Sequence, residues 1–483
     1  MASPAGRESH ECGTRRGLSS NPSPWSSETR RSTPKSGPGS RERGIQGFVS
    51  RTQSLRPVLF GLGLFCVAVG CDDLWHKATG PRMSRGGDQG DELGAQAPPP
   101  NGPKLGALAD FTPVYDQPAH DSRRIGWLHA GARVARSERP ISKQDCTDGW
   151  YAIYPRGFVC IGQGATVDMN HPTLTAMSLE PKLNEPLPYP YAQTRVPTEV
   201  FAPNTEPEDG VHPIAKLREA ATLAVVGSWQ ALDDTDQRQK LALTTRGTFV
   251  RVDDLRAVKL PPPRGVQIDG THFTVPLGFV VGEHAKRWRL DGDEATPVNA
   301  LASGAVLALG HKTRTLGDSR YCALEDGAWV LQSDVVVVRR RNDWPSFACG
   351  ARHWVDLDVD DGIVVLYEGE RAVFAAPTLT VPTNKRSLAA RATVVSAKCV
   401  TDNGLDANHE VYDAPWVIEL ANGMRLYGSL RPSRRPALDA SRVELTPQDA
   451  QRVWAWVAPA LPQGWHAVMA SSDADRQTNV LVR

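Results

Sequence analysis

Five arginines lie close together near the C-terminus and give the chain its clearest capacity for ligand chemistry. A guanidinium can donate two parallel hydrogen bonds to one carboxylate, so such a cluster suits recognition of an acidic group without catalysis. A solvated basic loop would show the same pattern and bind nothing. The residues are Arg425, Arg431, Arg434, Arg435 and Arg442.

Side chains that could attack a carbonyl are scarce in the same region. Cys399 lies ten positions before His409, but a half-buried cysteine in a strand is the favoured interpretation. Ser441 has no histidine in its local motif to activate it, and we interpret His466 as structural. The sequence has no zinc-ligand spacing, no phosphate-binding glycine loop and no HExxH motif, so we expect no metal and no cofactor.

Several short motifs keep a recognisable order and spacing over residues 350–483. They are HWVDL at 353–357, VVLYEG at 364–369, APWV at 414–417, LYGS at 426–429 and VELTPQDA at 443–450. Together they resemble the L,D-transpeptidase family of the YkuD type, which cross-links peptidoglycan through a cysteine nucleophile. The resemblance implies a β-sandwich with one or few helices over 347–483.

The chain departs from that family where the family's reaction takes place. Tyr427-Gly428 stands where the family has His-Gly, and Ala440, Ser441 and Arg442 replace the His-Gly-Cys that ends its second motif. A guanidinium cannot form a thioester, and its pKa above ~12 prevents it from acting as a base. We therefore expect a retained scaffold without a nucleophile.

An export signal is predicted at 51–71. Arg51 and Arg56 precede the apolar run 57–70, and Cys71 follows it, as in a secretory signal. The end of the run resembles a bacterial lipobox, which implies lipidation of Cys71; simple secretion or an uncleaved anchor are the alternatives. We expect a location in the bacterial cell envelope, on the periplasmic side, with a lipid anchor in the membrane.

Short alternating runs separated by Gly and Asp predict a small barrel at 105–170. Its DGW at 148–150 followed by GFV at 157–159 resembles a bacterial SH3-like domain. Related endings recur as RGTFV at 246–250 and DGAWV at 326–330, which favours two further units of related build. The segment 214–226 predicts a helix that could instead end in a strand.

Two of the cysteines lie within the first predicted unit. In an oxidising compartment Cys146 and Cys160 could form a disulfide that closes a loop of roughly 15 residues, worth about 3 kcal/mol. Two buried free thiols are an equal alternative. Near the C-terminus, Thr446 as N-cap, Pro447 in the first turn and Asp449 predict a helix start.

The predicted fold class is mainly β, with SH3-like barrel modules followed by a YkuD-like sandwich. The predicted parts are a disordered extension at 1–50 (a possible mis-called start), the signal at 51–71, a tether at 72–104, an SH3-like domain at 105–170, a β-rich domain at 171–270, a β-rich and possibly SH3-like unit at 271–346, and the transpeptidase-like domain at 347–483.

The functional expectation combines composition with the resemblance. A net charge of +1 is too small to attract nucleic acid electrostatically. We expect a non-catalytic protein that binds peptidoglycan stem peptides or scaffolds envelope proteins. The alternatives are an active L,D-transpeptidase that uses an unrecognised nucleophile, and a protein–protein interaction module of the envelope.

Overall fold

Strands make up about half of the described residues and helices only a small part, which confirms the predicted mainly β fold. The computed structural model describes residues 97–202, 213–232, 238–381, 390–403, 413–431, 435–436, 441–473 and 476–483. The predicted extension, signal segment and most of the tether lie outside these ranges. No helix within the ranges is long and apolar enough to span a bilayer.

The first unit consists of seven short strands. Strand β1 pairs with β4 and β7, β2 pairs with β3 and β6, and β5 pairs with β6. Isolated bridges from Arg136 to Ile153 and from Ser142 to Trp150 connect the segment after β4 with the β5 region. The strands are β1 (Lys104–Ala107), β2 (Thr112–Tyr115), β3 (Arg124–Leu128), β4 (Arg133–Ala135), β5 (Trp150–Ala152), β6 (Phe158–Cys160) and β7 (Ala165–Thr166).

The second unit follows the short helix α1 (Pro172–Ala176). Its seven strands form one sheet in the order β10-β9-β13-β12-β11-β8-β14. They are β8 (Tyr191–Thr194), β9 (Thr198–Phe201), β10 (Pro213–Leu217), β11 (Thr222–Leu232), β12 (Arg238–Thr244), β13 (Phe249–Arg251) and β14 (Leu255–Ala257).

The third unit has the order β18-β17-β21-β20-β19-β16-β22. Its strands are β16 (Leu277–Val280), β17 (Lys286–Asp291), β18 (Glu294–Ala300), β19 (Val306–Leu316), β20 (Ser319–Leu324), β21 (Trp329–Leu331) and β22 (Val335–Val338). Position by position this is the order of the second unit, and 3₁₀ turns at Val252–Asp254 and Gln332–Asp334 precede the last strand of each. The first unit has the same strand neighbours, except that isolated bridges replace a continuous pairing between its fourth and fifth strands, β4 and β5.

One turn recurs between the third and fourth strands of every unit. Its central residue has positive φ: Gly131 at 85°, Ala220 at 64° and Gly304 at 84°. Glycine adopts this conformation without steric cost, whereas alanine is strained in it. In each unit the central amide donates to the end of the first strand, through Gly131 N to Ala107 O, Ala220 N to Thr194 O and Gly304 N to Val280 O.

The C-terminal domain is a β structure with one helix packed on it. Its strands β23, β24, β25, β27 and β33 form one sheet, which continues through β32, while β28, β29 and β31 pair successively alongside β27. The strands are β23 (His353–Asp358), β24 (Ile363–Glu368), β25 (Arg371–Pro377), β26 (Thr380–Val381), β27 (Arg391–Asn403), β28 (Asp413–Leu420), β29 (Arg425–Gly428), β30 (Arg435–Pro436), β31 (Arg442–Leu445), β32 (Trp465–Met469) and β33 (Asn479–Val482).

Helix α2 (Pro447–Trp456) begins where the sequence predicts it. The Thr446 side chain accepts a hydrogen bond from the Asp449 amide at 3.3 Å, so it caps one of the amides that have no partner within the helix. Val453 and Trp454 are buried against the sheet core. The helix packs against β28, β29 and β31, the strands that carry Pro415, Tyr427, Gly428 and Arg442.

Each barrel unit is joined to the C-terminal domain in a different way. Strand β3 of the first unit pairs antiparallel with β32, so the two sheets are continuous. The second unit contributes Tyr191 and Ala224 to the sandwich core. The third packs Leu277 and Phe279 against the opposite sheet face around Trp354.

The structure differs from the sequence-based predictions in two segments. The helix predicted at 214–226 is wrong, because the strained turn at Ala220 separates β10 from β11 there. Strand β15 (Val266–Gln267) falls in the predicted second domain, yet it pairs with β25 of the C-terminal sheet.

Candidate functional site

Tyr427, which the sequence resemblance predicts to replace a histidine, lies on β29 with its side chain buried. Its phenol donates to Glu444 Oε1 at 3.2 Å, and β29 runs parallel to β31 with Tyr427 opposite Glu444. The Glu444 amide in turn donates to Thr380 Oγ1 at 3.1 Å. Tyr427 and Glu444 therefore form a buried hydrogen-bonded pair between β29 and β31.

Gly428 is required by close packing. A Cβ at this position would lie 3.0 Å from Pro415 Cγ and 3.2 Å from the Cα of Pro447. The glycine thus lets β28 and the start of α2 approach β29, which forms the floor of the site. This explanation needs no chemical role for Gly428.

The arginines of the predicted cluster lie in different environments. Arg425 is 8 % exposed, and its Nη1 lies 3.5 Å from Asp402 Oδ2, so the pair places an internal cation beside an internal carboxylate. Arg442 is half-buried at the start of β31, opposite Arg425, and the preceding carbonyl of Ser441 accepts the Arg425 amide at 2.8 Å. Among Arg425, Arg431 and Arg442, whose side chains the structure describes, Arg431 alone lines the cleft described below.

The structure does not describe the side chains of the other two arginines of the cluster, Arg434 and Arg435. Arg434 and Ala440 lie outside the described residues, and so does Cys71. For Arg435 the structure gives the backbone, which pairs in parallel with β26 opposite Thr380. Their predicted roles stay predictions.

A cleft of about 270 Å³ opens between the second unit and the C-terminal domain, directly beside Gly428. The C-terminal side contributes an arginine and a serine hydroxyl, and the second unit contributes a carboxylate and an amide. Opposite charges on facing walls suit a ligand that carries both an acidic and a basic group. The lining residues are Gln193, Glu219, Ala220, Thr222, Pro415, Gly428, Ser429, Leu430 and Arg431.

The remaining nucleophile candidates do not line this cleft. Cys399 is a buried thiol on β27 that forms no disulfide, and its carbonyl accepts the Trp454 indole N–H at 3.0 Å. His466 is buried on β32 with Nε2 2.6 Å from the Thr401 carbonyl, and burial lowers its pKa. Cys146 and Cys160 form a disulfide in the first unit.

Sequence reasoning missed a buried charge pair that joins the second unit to the C-terminal domain. Asp413 is fully buried at the start of β28; it accepts the Ala224 amide at 2.8 Å, and Arg246 Nε lies 3.3 Å from its Oδ1. Burial raises the pKa of Asp413 to about 6, although Arg246 acts in the opposite direction. Its partners are distant in sequence, so only the pairing of the folded units could reveal it.

A buried lysine, also missed, supports the end of helix α2. Lys398 Nζ donates to the carbonyls of Trp454 at 3.0 Å and Val457 at 2.8 Å, and lies 4.2 Å from the Trp454 ring centre. Burial lowers its pKa to about 7. A cation at the C-terminal end of a helix complements the helix dipole, so the geometry gives Lys398 a structural role. Within the described ranges, no group of three or more His, Cys, Asp or Glu side chains could hold a metal ion.

Comparison with known proteins gives a partial likeness of fold. No protein-family model and no curated protein matches the chain. An L,D-transpeptidase structure from Stackebrandtia nassauensis is similar at 15 % identity and a TM-score of 0.20, over 27 % of this chain and 55 % of that one. An L,D-transpeptidase structure from Xylanimonas cellulosilytica is similar at 19 % identity and a TM-score of 0.18, over 28 % of this chain and 62 % of the other. The chain thus spans little more than half the length of these solved structures, which are both L,D-transpeptidases.

Proposed function

We propose that this chain is a non-catalytic protein of the bacterial envelope that binds peptidoglycan stem peptides, or scaffolds their enzymes, through the cleft beside Gly428. The observation that supports it is the composition of that cleft. Arg431 and Glu219 line opposite walls, and no cysteine is among the lining residues. The chain also has no cysteine after Cys399.

Acyl transfer by the family's route requires a thiolate, a base that generates it and donors for the oxyanion. The position matching the thiol holds Arg442, and the position matching a histidine holds Tyr427, whose phenol is engaged with Glu444. Neither side chain can supply the missing step. These residues support binding over catalysis.

The ligand class follows from the charges of the cleft walls. Arg431 suits a terminal carboxylate, and Glu219 suits an ammonium group on the same ligand. A stem peptide carries free carboxylates and an amino group, so it meets both requirements. The lipid on Cys71 would keep the chain at the membrane on the periplasmic side.

Intact-protein mass spectrometry of the full chain, incubated with tetrapeptide muropeptides and separately with a carbapenem, tests the absence of catalysis. We expect no mass increase in either incubation, with a cooperative melt showing that the protein is folded. A covalent acyl adduct would overturn the proposal, and peptide mapping would then identify the nucleophile.

Calorimetric titration with the same muropeptides tests binding. Arg431→Ala should weaken binding about tenfold, since it removes a charge-assisted hydrogen bond. Arg371→Ala is the matched control: it removes the same charge from the exposed β24–β25 hairpin, where Arg371 pairs with Glu368. Equal affinities for the wild type and both variants would remove the cleft from the proposal.

A further inference from the structure

The third strand of each barrel unit has one edge turned away from its own sheet, and in the first unit that edge is occupied. Strand β3 pairs with β2 on one side and with β32 on the other. The added strand is antiparallel, with Gly126 opposite Val468 and Trp127 opposite Ala467. The fold thus contains one example of a strand added to this edge.

The equivalent edge of the third unit is protected. Strand β18 pairs only with β17 among the described strands, and Pro297 lies in its middle. Proline has no N–H to donate, and proline on an edge strand prevents pairing with another chain. The third unit therefore does not offer this edge to a partner.

The equivalent edge of the second unit is open. Within the described ranges β10 pairs only with β9, and residues 213–216 are exposed on both faces. Its proline, Pro213, is the first residue of the strand and leaves the following amides available. Ile214 is 59 % exposed, so an added strand would cover an apolar side chain that now faces solvent.

We infer that β10 is a docking edge for an extended segment of a partner protein, which adds to it antiparallel as β32 adds to β3. Strand addition supplies affinity through main-chain hydrogen bonds and specificity through alternate side chains. The occupant carries an apolar residue that covers Ile214. It carries an acidic residue opposite Lys216, because opposite charges favour cross-strand neighbours and Glu199, the register partner of Lys216 on β9, forms its ion pair with Arg251.

Fluorescence anisotropy of the full chain with labelled synthetic peptides tests this inference. The acidic probe alternates valine with threonine around one glutamate, and the basic probe has lysine in place of that glutamate. We expect saturable binding of the acidic probe and weaker binding of the basic one. Lys216→Glu should reverse this preference, and it changes only an exposed side chain.

A backbone variant separates strand addition from simple charge attraction. Ala215→Pro removes one N–H from the edge strand β10 and disrupts the backbone that an added strand would pair with, so it should weaken the acidic probe about tenfold or more. Thr296→Pro in β18 is the matched control and should leave binding unchanged, with melting curves verifying that both variants fold. Binding that survives Ala215→Pro in a folded protein, or no saturable binding of either probe, would overturn the inference. Analytical ultracentrifugation tests self-association. If the wild type self-associates and Ala215→Pro abolishes this, the inference is also overturned, because β10 would then pair with a second copy of the chain. None of these readouts involves the cleft beside Gly428.

Discussion

The second and third barrel units share one strand order but are held to the C-terminal domain by different forces. The second unit is joined through a buried charge pair, with Asp413 accepting from the Ala224 amide and from Arg246. The third unit uses apolar packing around Leu277 and Phe279. Topology therefore does not determine the physics of docking: a buried charge pair joins the second unit itself, whereas the strands of the third unit pack through apolar side chains and the nearby Arg341–Asp356 pair comes from the segment after β22.

The largest effect that follows concerns Asp413→Ala. The substitution leaves the Ala224 amide without its acceptor in the interior and removes the carboxylate beside Arg246. Loss of one partner from a buried pair costs about 3–5 kcal/mol, so we expect a fall in the free energy of unfolding of that size. Urea denaturation followed by tryptophan fluorescence measures it.

The third unit supplies the control for this substitution. Arg287 pairs with Asp326 at the surface, where the Asp326 side chain is 55 % exposed. Exposed pairs contribute about 0–1 kcal/mol, so Asp326→Ala should change stability little. A similar cost for both variants would show that burial does not determine what each of the two ion pairs contributes to stability.

The next effect is a pH dependence of the second unit's attachment. Burial raises the pKa of Asp413 from 3.8 to about 6, so between these values the folded state binds a proton that the unfolded state has released. Stability should therefore fall as pH rises from about 4 to about 6, by about 3 kcal/mol from this group. The groups facing it are Arg246, Asp110, Tyr189 and Tyr191.

Asp413→Asn isolates that contribution, because the amide oxygen can still accept from Ala224 but the side chain does not titrate. The difference in stability between wild type and variant should change across pH 4 to 6 and be constant above it. Urea denaturation at a series of pH values measures this difference. Parallel pH curves for the two proteins would assign the acid dependence to other groups.

The comparison also explains which features could be predicted from the sequence. The cap at Thr446 was predictable because its partner, Asp449, is three residues away. The helix predicted at 214–226 failed because its apolar spacing fits two strands equally well, and the turn at Ala220 breaks the periodicity. Asp413 gave no signal, since its partners Ala224 and Arg246 come close only after two units have folded and packed.

The smallest effect concerns the recurring turn. Gly304→Ala should cost about 1–2 kcal/mol from positive φ alone, because an added Cβ meets nothing within 4 Å. Ala220→Gly should stabilise the second unit by about 0.5 kcal/mol, since relief of the strain slightly exceeds the greater chain entropy of glycine in the unfolded state. Thermal melts of both variants against the wild type measure the two changes.

Ala220 differs from its two counterparts because it also lines the cleft. Strained backbone is retained where the surrounding structure or a ligand makes use of it. If Ala220→Gly stabilises the protein but weakens muropeptide binding, the methyl group serves the cleft at the expense of stability. If it stabilises the protein and leaves binding unchanged, the backbone strain at Ala220 has no role in binding, and Arg431 and Glu219 bind the ligand without a contribution from the Ala220 methyl group. A loss of stability would contradict the strain argument itself, because the turn would then need the Ala220 side chain more than it needs a relaxed backbone.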